Sequence, residues 1–274
     1  MIRKEVGLNW DITVNYAKNN PKVVELHPDI KQAFLGGGYG RTAGPLVQEG
    51  GKFGDLYSEG WKRDAQGRLL VDASGKPVGS GAGGTLVGNY NPDFMLGFTN
   101  TFTLNRLSLN ILIDGRFGGV MTSGTEANLA FDGTASYTTA NRTGGWILDA
   151  VTATGEKNTK AIDAETFWTT VSGGRYSWGE LFTYDATNVR IRELALGYDF
   201  KLNSKFIRSA KLSLVSRNLL FLYRGNAILD IPGVPTRKLN FDPDINLGSG
   251  NYQGVEYGNL PSTRTIGLNL KLTF

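Results

Sequence analysis

The sequence predicts an all-β chain: an antiparallel transmembrane β-barrel wall with short turns on one rim and long loops on the other. Three observations carry this. Apolar residues make up only 40% of the 274 residues while Gly reaches 37, well above the roughly 7% base rate. Few apolar positions with many Gly, Thr, Asn and aromatics suit a sheet greasy on one face only. Several segments alternate strictly between apolar and polar over lengths able to cross a bilayer as tilted strands. Long polar stretches separate them.

Residues 4–16 set the pattern. Val6, Leu8, Trp10, Ile12, Val14 and Tyr16 alternate with Glu5, Gly7, Asn9, Asp11, Thr13 and Asn15, which gives one greasy and one wet face. In residues 94–117, Phe94, Leu96, Phe98, Phe102 and Leu104 precede an Asn105-Arg106 turn, and Leu107, Leu109, Ile111, Ile113 and Phe117 follow it. A two-residue hairpin pairs Leu104 with Leu107, Phe102 with Leu109, Phe98 with Ile113 and Phe94 with Phe117. Both apolar sets then share a side. A second hairpin is expected over about 188–218, turning near Asn203–Arg208. Val189 and Ile191 fall one residue out of phase with Leu194, so a bulge is expected near Arg192 and Glu193. The final strand, 263–274, alternates Ile266, Leu268, Leu270, Leu272 and Phe274 with polar residues. Seven to nine membrane strands are expected in all.

The intervening segments, about 29–50, 64–93, 118–187 and 219–261, exceed the ~12–15 residues usual for a structureless loop. Asp163 is placed to cap a helical turn through Trp168. Asp64-Ala-Gln-Gly67 and Asp72-Ala-Ser-Gly75 read as two turns flanking a small ribbon. Trp10, Tyr16, Phe94, Phe117, Tyr198 and Phe200 read as an interfacial girdle.

Chemistry is sparsely encoded. With 29 Lys+Arg, 25 Asp+Glu and a net charge of +4, the basic residues are scattered and suggest no nucleic-acid footprint. The absence of cysteine excludes disulfides and thiol catalysis. The single histidine, His27, has no nucleophile motif nearby, and no enzyme active site or cofactor motif is read. The Gly36–Gly40 and Gly79–Gly84 runs lack phosphate-cradle spacing. Asp242, Asp244 and Asn246 follow the opening of a calcium loop, but the Gly comes one position late and the twelfth-position Glu is missing. Trp168, Tyr176, Trp178 and Tyr252 are candidate loop aromatics for stacking on a ligand. No window reaches the ~20 apolar residues of a membrane helix. No signal peptide opens the chain, so it is either cytosolic or begins downstream of its natural start.

Six stretches resemble one family. Arg190-Ile-Arg-Glu-Leu-Ala-Leu-Gly-Tyr-Asp-Phe200 is similar to the penultimate-hairpin motif of SusC/RagA TonB-linked outer-membrane proteins. Tyr257-Gly-Asn-Leu-Pro-Ser-Thr-Arg-Thr-Ile-Gly-Leu-Asn-Leu-Lys-Leu-Thr-Phe274 resembles their ending. Asn91-Pro-Asp-Phe94, Gly97-Phe-Thr-Asn-Thr-Phe102 and Asp114-Gly-Arg-Phe-Gly-Gly119 resemble their mid-barrel signature, and Arg217-Asn-Leu219 the Asn-Leu that follows their next-to-last strand. Gly225–Gly254 departs from the family pattern. The resemblance implies that residues 1–274 are the C-terminal portion of a plugged 22-stranded barrel, with signal peptide, plug and TonB-contacting segment upstream. It implies import of a glycan or peptide across the bacterial outer membrane, a SusD-like surface lipoprotein as partner, and a C-terminal strand of Ile266, Leu268, Leu270, Leu272 and Phe274 read by the barrel-assembly machinery. The residues alone leave two other readings open: a soluble carbohydrate-binding β-module, and a passive porin or adhesin barrel.

Overall fold

A computed structural model describes residues 7–35, 43–173, 176–202, 206–246 and 253–274. Its frame is one six-stranded antiparallel sheet: β1 (Leu8–Ala17), β2 (Phe94–Leu104), β3 (Leu107–Phe117), β4 (Asn188–Phe200), β5 (Ser209–Arg224) and β6 (Thr265–Thr273). Spatial order equals chain order, an up-and-down meander with β1 and β6 at its edges. The described residues hold six such strands, not seven to nine, because residues 18–93 make short strands outside this sheet.

The β2–β3 register is the one the apolar pattern requires: Leu104 faces Leu107, Phe102 faces Leu109, Phe98 faces Ile113 and Phe94 faces Phe117. Asn105 takes the turn with φ +53°, a conformation Asn tolerates better than most residues. Continued through β1, β4, β5 and β6, the pairing aligns whole rows. One runs Leu8, Leu104, Leu107, Tyr198, Leu212, Leu270, and the next runs Trp10, Phe102, Leu109, Leu196, Leu214, Leu268. The alternate rows are polar: Asn9, Thr103, Ser108, Gly197, Ser213 and Asn269. The expected irregularity lies between Ile191 and Glu193. It brings Ile191 and Leu194 onto the same side, opposite Ile113 and Ile111.

Residues 4–6 of the first expected strand, residues 203–205 of the second hairpin turn and the Gly36–Gly40 run lie outside the described residues.

The apolar face keeps large side chains exposed, among them Val14, Leu196, Leu214, Leu220 and Leu268, the last at 74%. Leu109 is half-buried, in line with its place on an open face. Stacked rings mark the loop end of this face: Tyr16 on Phe94 at 5.8 Å and Phe94 on Phe117 at 4.6 Å. Tyr198 and Phe200 meet edge to face near the turn end. The 11 residues of β3 span ~37 Å at ~3.4 Å each, or ~26 Å along the normal when tilted ~45°, close to the ~25 Å apolar band of a membrane barrel.

All three long connections, 18–93, 118–187 and 225–264, leave the sheet at the same rim. They form one ordered loop body rather than three separate polar excursions. Its core gathers Trp61 and Val71 from the first connection, Ala127, Trp146, Leu148, Phe167, Trp168, Trp178 and Phe182 from the second, and Ile231 from the third. Two helices lie within it, α1 (Gly124–Phe131) and α2 (Ala164–Val171). Asp163 caps α2 as the sequence suggests, its Oδ1 accepting from Thr166 N at 2.6 Å. Strand Val120–Ser123 pairs with Thr183–Asp185 on one side and Val255–Glu256 on the other, joining the second and third connections. The Asp64 and Asp72 turns form consecutive small hairpins; Gly67 N and Gly75 N bond back to Asp64 O and Asp72 O, each at 3.0 Å.

Candidate functional site

The polar face of the wall carries its charge at the loop rim. Arg190 stands opposite Asp114 on β3. The bulge after Ile191 supplies an extra residue, so Arg192 also reaches Asp114: its Nε donates to Oδ2 at 2.7 Å. Both arginines then hold the third connection. Arg190 Nη1 donates to Asp242 Oδ2 at 2.8 Å and Nη2 donates to Asp244, while Arg192 Nη2 reaches Asp244 Oδ2 at 3.0 Å. Arg116 Nη1 donates to Pro243 O at 3.3 Å and its Nη2 to Tyr90 O, drawing in the first connection too.

Arg190 is 2% exposed and Asp242 7%. Such a pair is weak evidence for net stability, yet removing one partner alone strands a buried charge, at about 3–5 kcal/mol. Arg190 Nε lies 3.8 Å from Asp114 Oδ1, an ion-pair distance too long for a hydrogen bond, so Asp114 bonds Arg192 and only neutralises Arg190. Three arginines and three aspartates make the clamp electrically balanced. The adjoining motif glycines fit the same joint. Gly118 N donates to Thr187 Oγ1 at 2.9 Å, and Gly119, at φ +78°, would bring a Cβ within 2.9 Å of Asn91 O; a side chain there is strained and obstructed.

A second tie joins the last strand's approach to α1. Glu256, 3% exposed, accepts from Ser123 Oγ and Thr125 Oγ1, both at 2.5 Å. Gly258 N donates to Thr125 Oγ1 at 2.7 Å, and Asn128 Nδ2 donates to Tyr257 Oη at 3.2 Å. Burial raises the nearby Glu126 carboxyl above its ordinary value, and Glu256 adds repulsion while Tyr137 and Arg237 oppose the shift. Buried Arg237 donates Nη1 to Leu181 O and Nη2 to Leu229 O at 2.8 Å, binding the third connection to the second.

The Asp242–Asn246 stretch is therefore part of the arginine clamp. Asp242 and Asp244 spend their carboxylates on Arg190 and Arg192, and Asn246 Oδ1 accepts from Gly254 N at 2.9 Å. Among the described residues no cluster suited to a metal ion occurs. The D-x-D spacing that suggested calcium has arginine counter-ions instead. The stacking candidates divide. Trp168 and Trp178 are core residues at 2% and 6% exposure, a correction to their reading as exposed ligand platforms. Tyr176 is 70% exposed. Tyr252 lies outside the described residues.

Two clefts open beside these ties. One of about 450 Å³ between α1 and α2 is lined by Phe131, Arg142, Asp163, Glu165 and Trp168. Another of about 350 Å³ lies at the clamp against Asn15, Gly97, Asp114, Arg116, Arg192 and Asp244. Sequence reading missed the clamp; the signal available was two arginines on the polar face of one strand, which demand counter-ions.

The wall is a six-stranded meander with every long connection on one rim, those connections folded together and anchored to its polar face. A curated protein of Formosa agariphila, "TonB-dependent receptor P3", is 25% identical over 288 residues, covering 96% of this chain and 26% of that protein. Solved structures of the RagAB peptide transporter and of the RagAB peptide importer in its open-open state each match all of this chain, with TM-scores of 0.59 and identities of 17% and 15%. The chain covers 28% and 27% of them. No family model matches. The chain is SusC/RagA-like: similar in sequence to a TonB-dependent receptor over nearly its whole length, and alike in fold to RagAB chains.

Proposed function

We propose that residues 1–274 are the C-terminal wall and outer-loop portion of a TonB-dependent outer-membrane importer. In this reading the apolar rows face lipid, the polar rows line the lumen, and the loop body stands at the outer rim, where it helps to capture a glycan or peptide. The plug, the TonB-contacting segment and the strands that would close a 22-stranded barrel belong to the remainder of such a receptor. A SusD-like lipoprotein seated over the rim is the expected partner, and transport proceeds by plug movement, with no bond made or broken. The "peptide" in the names of the RagAB structures and the family resemblance support an import role without choosing the cargo.

One observation carries the reading. Apolar rows run across all six strands and remain exposed, while the opposite face is polar and bears the clamp. Only a barrel wall in lipid makes both faces favourable, since an exposed apolar surface of that extent in water is an aggregation hazard. The cysteine-free sequence allows a clean test in the full-length receptor. Single cysteines at Leu109 and Leu268 should react with a lipid-soluble maleimide and resist a water-soluble one. Cysteines at Ser108 and Asn269 should do the reverse. Equal reactivity at all four positions would sink the assignment.

A further inference from the structure

β6 pairs with β5 only as far as Thr265 opposite Arg217, whereas β5 continues to Arg224. The turn end is stepped in the same sense: from the row of Leu104 and Leu107, β4 carries on past Tyr198 to Phe200 and β6 past Leu270 to Thr273. This is the stagger of a tilted wall, and with that slope residues 218–224 stand at the loop rim. One side of this overhang is paired with β4. Among the described residues no strand pairs with its other side, above β6. A free strand edge presents unpaired backbone N–H and C=O groups. A cavity of about 370 Å³ is lined there by Phe221, Leu222, Tyr223 and Arg224 with Asn226 and Lys238. Side chains alternate between faces along a strand, so a cavity touching four consecutive residues runs along the strand edge rather than over one face.

The cavity is also charged. Arg224 lies opposite Asn188, itself opposite Arg116, and Phe221 lies opposite Arg190, so Arg224 and Phe221 belong to the polar face. The guanidiniums of Arg190 and Arg224 lie over the Phe221 ring, at 5.4 Å and 4.2 Å. Arg190 is spent on the clamp. Beyond Arg224 the backbone enters a two-stranded ribbon: Ala227 N donates to Arg237 O at 2.8 Å and Leu239 N to Gly225 O at 2.9 Å. Asn226 is opposite Lys238, which brings Lys238 to the side of Arg224. Among the described residues neither Arg224 nor Lys238 forms an ion pair, and the lining contains no acidic residue.

We propose that the overhanging edge of β5 binds an extended, acidic peptide cargo, which adds as a strand along residues 219–223 and gives a carboxylate to Arg224 and Lys238. The free edge selects a peptide, because main-chain pairing supplies the affinity in strand addition; a glycan backbone has no matching alternation of N–H and C=O. A guanidinium stacked on a ring keeps its edge N–H groups for a carboxylate, and the Lys238 ammonium adds a second charge-assisted bond. The inference rests on the importer reading above and chooses peptide over glycan within it.

The test uses the full-length receptor in detergent and reads binding of fluorescein-labelled ligands by anisotropy. The probe is the peptide Thr-Val-Glu-Val-Glu-Thr. Its controls are the same peptide with Gln for Glu, the same peptide N-methylated at every backbone amide, and an oligogalacturonate. The wild type should bind the acidic peptide roughly tenfold or more tighter than each control: the Gln peptide loses its ion pairs, and the N-methylated one cannot donate to the edge. R224Q/K238Q should erase the preference over the Gln peptide and keep that over the N-methylated one. R224K/K238R should keep most of both. Equal binding of the probe and any one control by the wild type overturns the proposal, as does an unchanged acidic preference in R224Q/K238Q. If R224Q/K238Q does not assemble, the wild-type comparisons and single K238Q decide. Fractionation reads the underlying assumption separately: a receptor missing from the outer membrane breaks the importer reading, whereas one present there but indifferent to the acidic peptide breaks only this inference.

Discussion

Arg190 shows how much one side chain can hold. It is nearly inaccessible, bonds two carboxylates of a distant loop, and leans on a third across the sheet. Arg190→Ala should leave Asp242 buried and unpaired, loosening residues 240–246 by about 3–5 kcal/mol of local protection. Hydrogen exchange of that segment in the full-length receptor measures this. Adding Asp242→Ala should recover part of the loss, as coupled partners do; strictly additive losses would mean that the two residues do not act as a pair. Glu126 makes a different prediction, about pH. Its carboxyl is raised above 4.5, first by burial, so the folded state holds the proton more tightly than the unfolded chain does. Its contribution is fully present below the ordinary value and disappears as pH rises through the folded value. Glu126→Gln should flatten the dependence of loop-body exchange as pH rises above the ordinary carboxylate range and slow exchange at the upper end. Unaltered pH dependence in that variant would exclude Glu126 as the source.

At the scale of elements, α2 depends on its cap. Asp163 accepts from Thr166 N, and this backbone bond is the foremost cause of its lowered carboxyl pKa. Asp163→Ala should weaken α2, and Asp163→Asn far less, as read by protease resistance of α2 in the receptor. This cap was legible in the sequence because capping is local: an Asp before a helical run needs nothing distant. The strand registers were legible for a related reason, since a one-residue slip would bury Asn9, Asp11 and Asn110 in the apolar rows and expel Leu107 and Leu109. The bulge announced itself through the phase break between Ile191 and Leu194. The loop body did not. Its core joins Trp61, Phe167 and Ile231 across more than a hundred residues with no periodicity to betray it. Trp168 and Trp178 looked like surface platforms because an aromatic in a polar stretch carries no mark of what will cover it. Asp242 and Asp244 resembled the opening of a calcium loop because local spacing does not show that Arg190, on a distant strand, bonds both.

For the whole molecule, among the described residues the sheet ends at β1 and β6, with an exposed apolar face between them. The isolated 274-residue chain should not persist as a monomer in water, since open edges and a wide apolar surface invite association. A sharp, reversible thermal transition of a detergent-free monomer would contradict this. In the membrane wall proposed above β6 would need a partner, because backbone groups unpaired in lipid cost several kcal/mol each. Deleting Phe274, which follows the last ladder residue and is 71% exposed, should lower the amount of receptor in the outer membrane and leave uptake per inserted molecule unchanged. Normal surface levels with reduced uptake would move this residue from assembly to the transport path.

The shared core of the three connections also limits how such a rim can diversify. Trp61 from the first connection packs on Phe167 of the second, with ring centroids 5.7 Å apart, and Ile231 of the third joins the same cluster. Each connection is thus part of the folding template of the other two, and none is free to vary by itself as a surface loop usually does. Recombination between receptors should therefore respect the set. A chimera that inherits one foreign connection brings mismatched surfaces into a close-packed interior, whereas one that inherits all three carries its interior with it. The three connections are in that sense inherited as a single block, and the natural breakpoints are the wall strands on either side of it.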